Sequence, residues 1–163
     1  MLSPIAVFAY NRPFSLQQSL DSLSKNEEAI QSELFVFIDG PKSKNESHLV
    51  NYVEDIAKSF KRLFKSVTIF KSEFNNGLVK SIRTGITKML ENYQNLIIIE
   101  DDICVSKYFL KYMNHGLNKY RDNKKIWHLN GFNFPSKIKK NDCFFSRVMF
   151  CWGWATWKDR WQK

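Results

Sequence analysis

Leu96–Ile99 is a run of four aliphatic residues, three of them isoleucine, and it runs straight into Glu100, Asp101 and Asp102. β-Branched side chains favour extended backbone. An extended run that is apolar at every position has both of its faces buried, which is the state of a strand inside a parallel sheet covered by helices. Such a strand ending in three adjacent carboxylates builds up repulsion unless a cation or a set of donors offsets it. Hard divalent ions take one or two carboxylates together with substrate phosphates. The alternative is a solvated strand end, or acids that cap a following helix.

The rest of the chain alternates in the way such a sheet needs. Pro4–Tyr10 is a short apolar run, read as a strand and not a signal peptide because no basic leader precedes it. Asn11 and Arg12 follow, and Pro13 suits the first turn of a helix, where its missing N–H costs nothing. Leu16, Leu20 and Leu23 then recur at helical spacing. Leu34–Ile38 is a second apolar run, closed by the turn residues Asp39-Gly40-Pro41. Leu49, Val53, Ile56 and Phe60 mark a second helix, Val67–Phe70 a third strand, and Leu78, Ile82, Ile86 and Leu90 a third helix after the Asn75-Asn76-Gly77 turn. Ser106 is placed to cap a fourth helix with Phe109, Met113, Leu117 and Tyr120 inside, and Ile126–Leu129 reads as a fifth strand. The pattern stops after Phe134, with a Lys-rich loop over Pro135–Asp142 and an aperiodic aromatic stretch over Phe144–Trp161. The expected class is α/β, a single domain over 1–163.

Composition narrows the functions. The net charge of +9 favours an anionic partner, and a solvated basic surface accounts for many of the charges. The 25 Lys and Arg are spread along the whole chain while all five Trp lie at or after Trp127, so basic and aromatic residues do not interleave as single-strand nucleic-acid binders require. No apolar run approaches the roughly 20 residues needed to span a bilayer. Cys104, Cys143 and Cys151 are too scattered for a disulfide framework or a zinc knuckle and read as reduced thiols of a cytosolic protein. His48, His115 and His128 lack ligand spacing, and His128 reads as a packed strand residue. There is no phosphate-cradling GxxxxGK[ST] loop, no GxGxxG after the first strand and no GxSxG elbow.

In an open α/β sheet, ligands sit at the carboxyl ends of the strands. Here those ends carry Asn11-Arg12, Asp39-Gly40, Asn75-Asn76-Gly77 and the three acids. Asp39 either accepts hydrogen bonds from a base or ribose or makes an ordinary Asp-Gly turn. Arg12 could hold a phosphate or stack on a base, and taken alone it also reads as a surface arginine. Asn76 and Lys80 lie where a helix start favours anions, although Lys80 and Arg83 also fit a solvated helix face. Trp152, Trp154, Trp157 and Trp161 could close the core over the sheet edge. Aromatic rings also stack on sugars, and a Gly between two Trp lets a backbone come close.

The order of strand, Asn-Arg, helix, strand, Asp-Gly and then IIIEDD resembles the GT-A-fold glycosyltransferases, a three-layer sandwich with a mostly parallel sheet. More narrowly it is similar to N-acetylglucosaminyltransferase I and its bacterial relatives, which carry Glu-Asp-Asp in place of Asp-X-Asp. The resemblance runs over residues 4–134 and is most specific from Leu96 to Leu129, where Ile103, Tyr108-Phe109 and Trp127 keep the spacing. Cys151–Trp157 looks like an aromatic acceptor-side segment. The resemblance implies Asp102 as ligand of a Mn²⁺ or Mg²⁺ ion, Asp101 at the ribose, Glu100 near the donor sugar, and Arg12 and Asp39, with Asn11, Asn76 and Lys80, around the nucleotide. It implies a nucleotide core over 1–134 and an acceptor-side segment over 135–163 that includes Trp152, Gly153 and Trp154. The implied activity is metal-dependent, inverting transfer from a UDP-sugar to a saccharide or lipid-linked acceptor, in the cytoplasm or at the inner face of a membrane.

The general base of such enzymes lies in the aromatic C-terminal part. Asp142 and Asp159 are the only carboxylates there, and Asp159 is a weak candidate. A chain without a base would be a nucleotide-sugar-binding module or would need a partner, and a basic nucleic-acid-binding domain is the third reading.

Overall fold

The computed structural model describes residues 2–134 and 143–163. Six strands form one sheet in the order β3-β2-β1-β4-β6-β5. They are β1 (Ile5–Ala9), β2 (Glu33–Ile38), β3 (Ser66–Lys71), β4 (Asn95–Glu100), β5 (His128–Asn130) and β6 (Trp154–Trp157). β1 to β4 are mutually parallel, and β6 runs antiparallel between β4 and β5. The helices are α1 (Pro13–Ser24), α2 (Ser47–Ser59), α3 (Leu78–Asn92), α4 (Phe109–Lys119) and the single turn α5 (Lys158–Trp161).

Strand pleat divides the core. Ile5, Val7 and Ala9 of β1, with Val36 and Ile99 beside them, face α1, α2 and α4. Ala6 and Phe8, with Leu96 and Ile98, face α3 and Trp154. β1 and β4 are buried on both sides, as four aliphatic residues in a row require. β2 and β3 depart from that expectation. β2 alternates between buried and half-buried, and β3 is an edge strand with Ser66, Thr68 and Lys71 exposed. Lys71 Nζ bonds Asn51 and Glu54 across that edge, a charge that discourages further strand pairing.

Several boundaries differ from the periodicity: α2 ends before Phe60, α4 ends before Tyr120, and β5 covers His128–Asn130 and not Ile126–Leu129. α4 begins at Phe109, three residues after Ser106, and its first turn is bonded by Asn26, just past the end of α1. Asn26 Oδ1 accepts the Leu110 amide at 2.9 Å, while Asn26 Nδ2 donates to Leu23 O and Ser106 O. The aromatic stretch is also not featureless. Trp154–Trp157 inserts between β4 and β5, Trp157 Nε1 donates to Leu117 O at 3.0 Å, and Trp161 Nε1 donates to Thr87 Oγ1. The Lys-rich loop over Pro135–Asp142, and with it Asp142, lies outside the described residues.

Candidate functional site

The carboxyl end of β1 organises the site. The backbone N–H of Asp39 donates to Ala9 O and that of Asp101 to Phe8 O, each at 2.9 Å. The end of β2 and the end of β4 therefore flank Tyr10, Asn11 and Arg12 from opposite sides. Arg12 also opens α1, with Leu16 N donating to its carbonyl and Pro13 in the first turn. Its side chain lies over the end of β4.

There Arg12 meets two acids at once. Nη1 donates to Asp102 Oδ2 at 2.9 Å and Nη2 to Asp101 Oδ1. The Asp101 side chain is 2% exposed, against 47% for Asp102 and 50% for Arg12. Asp101 Oδ2 also accepts the Tyr10 amide at 3.3 Å. Burial pushes the Asp101 carboxyl up, and Arg12 opposes that without reversing it. Glu100, the last residue of β4, is raised by burial first and then by the charges of Asp102 and Asp101. Three carboxylates thus face one guanidinium.

Asp39 is 7% exposed and satisfied by backbone alone. Oδ1 accepts the amides of Gly40 at 3.0 Å and Asn76 at 2.8 Å, and Oδ2 accepts that of Gly77 at 2.9 Å. The arrangement needs glycine at 77, whose φ of +77° places the chain for entry into α3. The Asp-Gly turn and the loop before α3 are one unit clamped by a carboxylate. A cleft of about 430 Å³ opens between α3 and the β2–β3 edge, with Asp39, Ser72 and Asn76 at one end and the Phe37 and Phe70 rings, stacked at 4.9 Å, along it. It reaches Asp39, but none of Arg12, Glu100, Asp101 and Asp102 lines it.

The remaining expected residues separate. Asn11 Nδ2 turns to Glu46 Oε1 at 3.2 Å. Lys80 is exposed on the outer side of α3. Glu46 is a residue the sequence reading missed. Tyr10 Oη donates to its Oε2, as does the Lys42 amide at 3.0 Å, and the Tyr10 bond holds the Glu46 carboxyl below its ordinary range. Ser43-Lys44-Asn45-Glu46 has the S-x-x-E pattern of a capping box, which was the available signal for structure there. Glu46 instead ties the turn before α2 to the end of β1.

Two expectations in the C-terminal segment need correction. Because β6 is antiparallel to β4, Trp157 pairs with Asn95, so α5 and Asp159 sit at the amino end of the parallel strands, a strand's length from the acids. Asp159 there is paired with Lys124 at 2.6 Å and Arg160 at 2.7 Å. Its bonds to Lys124 and then Arg160 hold it below the usual carboxylate range, and it is not placed as a base for the opposite end. Trp154 is 7% exposed and packs under α3 as core. Gly153, at φ +71°, turns its carbonyl to Gly131 N at 2.7 Å and lies against the Phe109 ring, so its close approach is to protein. Trp152 does sit at the carboxyl end of β4, partly exposed, edge-on to Phe132 at 4.5 Å. His128 is half-buried, and burial lowers its pKa.

No family model and no curated protein matches the sequence. Solved structures match the fold. The 1–349 fragment of S. aureus TarS superposes with a TM-score of 0.67 at 15% identity over 97% of this chain and 47% of its own. The mannosyltransferase PcManGT from Pyrobaculum calidifontis, in complex with GDP-Man and Mn²⁺, gives 0.55 at 13% identity over 79% of this chain and 35% of its own. A 4-diphosphocytidyl-2C-methyl-D-erythritol synthase gives 0.55 at 12% identity over 97% of this chain and 76% of its own. The chain thus spans less than half the length of the first two. It has the α/β, GT-A-like fold found in nucleotide-diphospho-sugar transferases.

Proposed function

We propose that the carboxyl end of the sheet binds a nucleoside-diphosphate sugar together with a divalent ion, and that the chain belongs to an inverting glycosyltransferase using a UDP-sugar. The observation that carries this reading is the acid cluster at the end of β4, facing Arg12 and flanked across β1 by Asp39, on a fold shared with sugar transferases. The narrower likeness to N-acetylglucosaminyltransferase I rests on Glu100-Asp101-Asp102 and on the spacing of Ile103, Tyr108-Phe109 and Trp127 after it.

The residues fit Mn²⁺ or Mg²⁺. Three carboxylates against one guanidinium leave excess negative charge, which adds to burial in raising the Glu100 carboxyl. Among the described residues no three His, Cys, Asp or Glu groups are disposed to chelate an ion by themselves. A hard ion there would take one or two carboxylates and complete its shell with diphosphate oxygens and water. Asp102, the exposed member, would hold it, and the ion when bound supplies Lewis-acid stabilisation of the leaving diphosphate. Asp101 would turn to the ribose and Glu100 to the donor sugar. Asp39 Oδ2 accepts one hydrogen bond and keeps capacity for another, from a base or ribose entering the adjoining cleft. Asn76, Lys80 and Asn11 would border the nucleotide. Trp152 is the one of the three acceptor-side candidates with an exposed ring, which would meet a saccharide or lipid-linked acceptor.

The displacement of Asp159 favours a second reading, in which this chain binds the donor and a partner supplies the base. Residence in the cytoplasm, with peripheral contact at the inner face of a membrane, belongs to the first reading. Among the described residues no helix is long and apolar enough to cross a membrane. Calorimetry with UDP, with and without Mn²⁺, tests the site. Binding is expected only with the metal and is expected to vanish in Asp102→Ala. Equal binding by that variant removes the site assignment, and release of UDP from a donor sugar separates enzyme from binding module.

A further inference from the structure

Arg12 makes two ion pairs of opposite character with one guanidinium. The inner pair joins a 2% exposed carboxylate that also holds the Tyr10 amide, while the outer pair joins Asp102, which is about half exposed. Removing the partner of a buried carboxylate leaves an uncompensated charge and is strongly unfavourable, whereas an exposed pair is worth roughly 0–1 kcal/mol. The two halves of the fork therefore differ in how readily they open.

We infer that Arg12 is the resident cation of the acid cluster, permanently bound to Asp101, and that its outer arm must leave Asp102 before a divalent ion can be held there. The inference rests on the metal-site reading above and adds a positioning role that the nucleotide-contact expectation for Arg12 did not contain. Asp102 Oδ2 is spent on Nη1 when no ion is present, so the ion competes with an intramolecular donor as well as with water. Weak binding of the ion alone follows, and the released N–H groups of Arg12 remain beside the ion's site, needing an acceptor. Diphosphate oxygens are acceptors of the right chemistry, and guanidinium matches them in geometry. Metal and nucleotide would then bind best together, because each supplies what the other's arrival leaves unsatisfied.

Lysine separates this from a simple field effect. Arg12→Lys keeps the positive charge but has no fork, so a single ammonium stays with the more buried Asp101 and leaves Asp102 open. Mn²⁺ binding without nucleotide, followed by the loss of the free-ion electron paramagnetic resonance signal, is the readout. Arg12→Lys is expected to bind Mn²⁺ about fivefold more tightly than the wild type, which corresponds to about 1 kcal/mol, the upper end for an exposed pair. Equal affinity in the two proteins overturns the proposal, since charge is unchanged and only the outer arm is lost. Arg12→Gln, which retains a donor for Asp101 without the charge, guards against misfolding of the lysine variant and is expected to bind at least as tightly as Arg12→Lys. Weaker binding by both variants also overturns it. Asp102→Asn distinguishes the two levels. If it binds Mn²⁺ as well as the wild type, the ion is not at Asp102 and the site reading fails. If it loses binding while Arg12→Lys gains nothing, only the role of Arg12 fails.

Discussion

The two ends of the parallel strands treat their acids differently. At the amino end two carboxylates have side-chain cations or hydroxyls of their own: Asp159 has Lys124 and Arg160, and Glu33 has Lys65 and the Tyr93 hydroxyl. At the carboxyl end Glu100, Asp101 and Asp102 share one arginine, and Asp39 has only backbone amides. The pKa directions follow. Asp159 is lowered by its pairs, while Glu100 and Asp101 are raised by burial that nothing fully offsets. Charges that are locally neutralised hold the fold together, and charges left in excess are what a cation proposed at the carboxyl end would relieve. The difference is physical and does not depend on any likeness to a known enzyme.

Arg160 tests the neutralised end and carries the largest expected effect. Its guanidinium is buried. Besides Asp159, it donates to the carbonyls of Tyr120, Arg121, Asn123 and Ile126, and it stacks on Trp157 at 4.1 Å. Arg160→Ala removes the donor for four backbone carbonyls and Asp159 at once, and the packing on Trp157. The expected loss is about 3 kcal/mol in urea unfolding, with UDP affinity of the folded protein unchanged. A loss under about 1 kcal/mol would erase the distinction between the ends.

Asp39 is the intermediate case, a carboxyl-end acid with structural bonds. Asp39→Ala leaves the amides of Asn76 and Gly77 without their acceptor at the start of α3. Unsatisfied buried donors cost about 1–3 kcal/mol, so a loss of about 2 kcal/mol in the same unfolding experiment is expected. No loss would mean that the clamp is incidental, and would leave Asp39 to ligand binding alone.

These contacts also show where sequence reasoning reached and where it stopped. β1 to β4 and α1 to α4 were legible because apolar periodicity is local. β6 was not, since Trp-Ala-Thr-Trp has no distinctive period and its partners, β4 and β5, lie far back in the chain. The positions of the acids at strand ends could be read directly. What each acid touches could not, because Arg12 reaches Asp101 and Asp102 across some ninety residues, Asn26 caps α4 across 84, and Glu46 meets Tyr10 across 36. The place of Asp159 was hidden for the same reason, because only the antiparallel insertion of β6 shows that the chain returns to the amino end of the sheet.

Glu100 gives the smallest effect and the sharpest test of excess charge. Its carboxyl is raised above the ordinary glutamate value, so the native state binds the proton more tightly than the unfolded chain does. The stability this provides is fully present below the ordinary value, about pH 4.3, and is lost as pH rises through the higher folded value. Above that window the native protein holds a half-buried charge beside Asp101 and Asp102. Glu100→Gln keeps the shape and discards the charge. The variant is therefore expected to gain on the wild type as pH rises, reaching a plateau of a few degrees in Tm at pH 7, and the gap is expected to close below about pH 4. Saturating Mn²⁺ at pH 7 supplies the missing cation and is expected to shrink the gap, because the ion relieves the wild type more than the variant. A gap that is constant with pH would show that the substitution acts through packing and that the cluster holds no excess charge. A gap that varies with pH but ignores the metal would place the excess charge at Glu100 and the ion somewhere else.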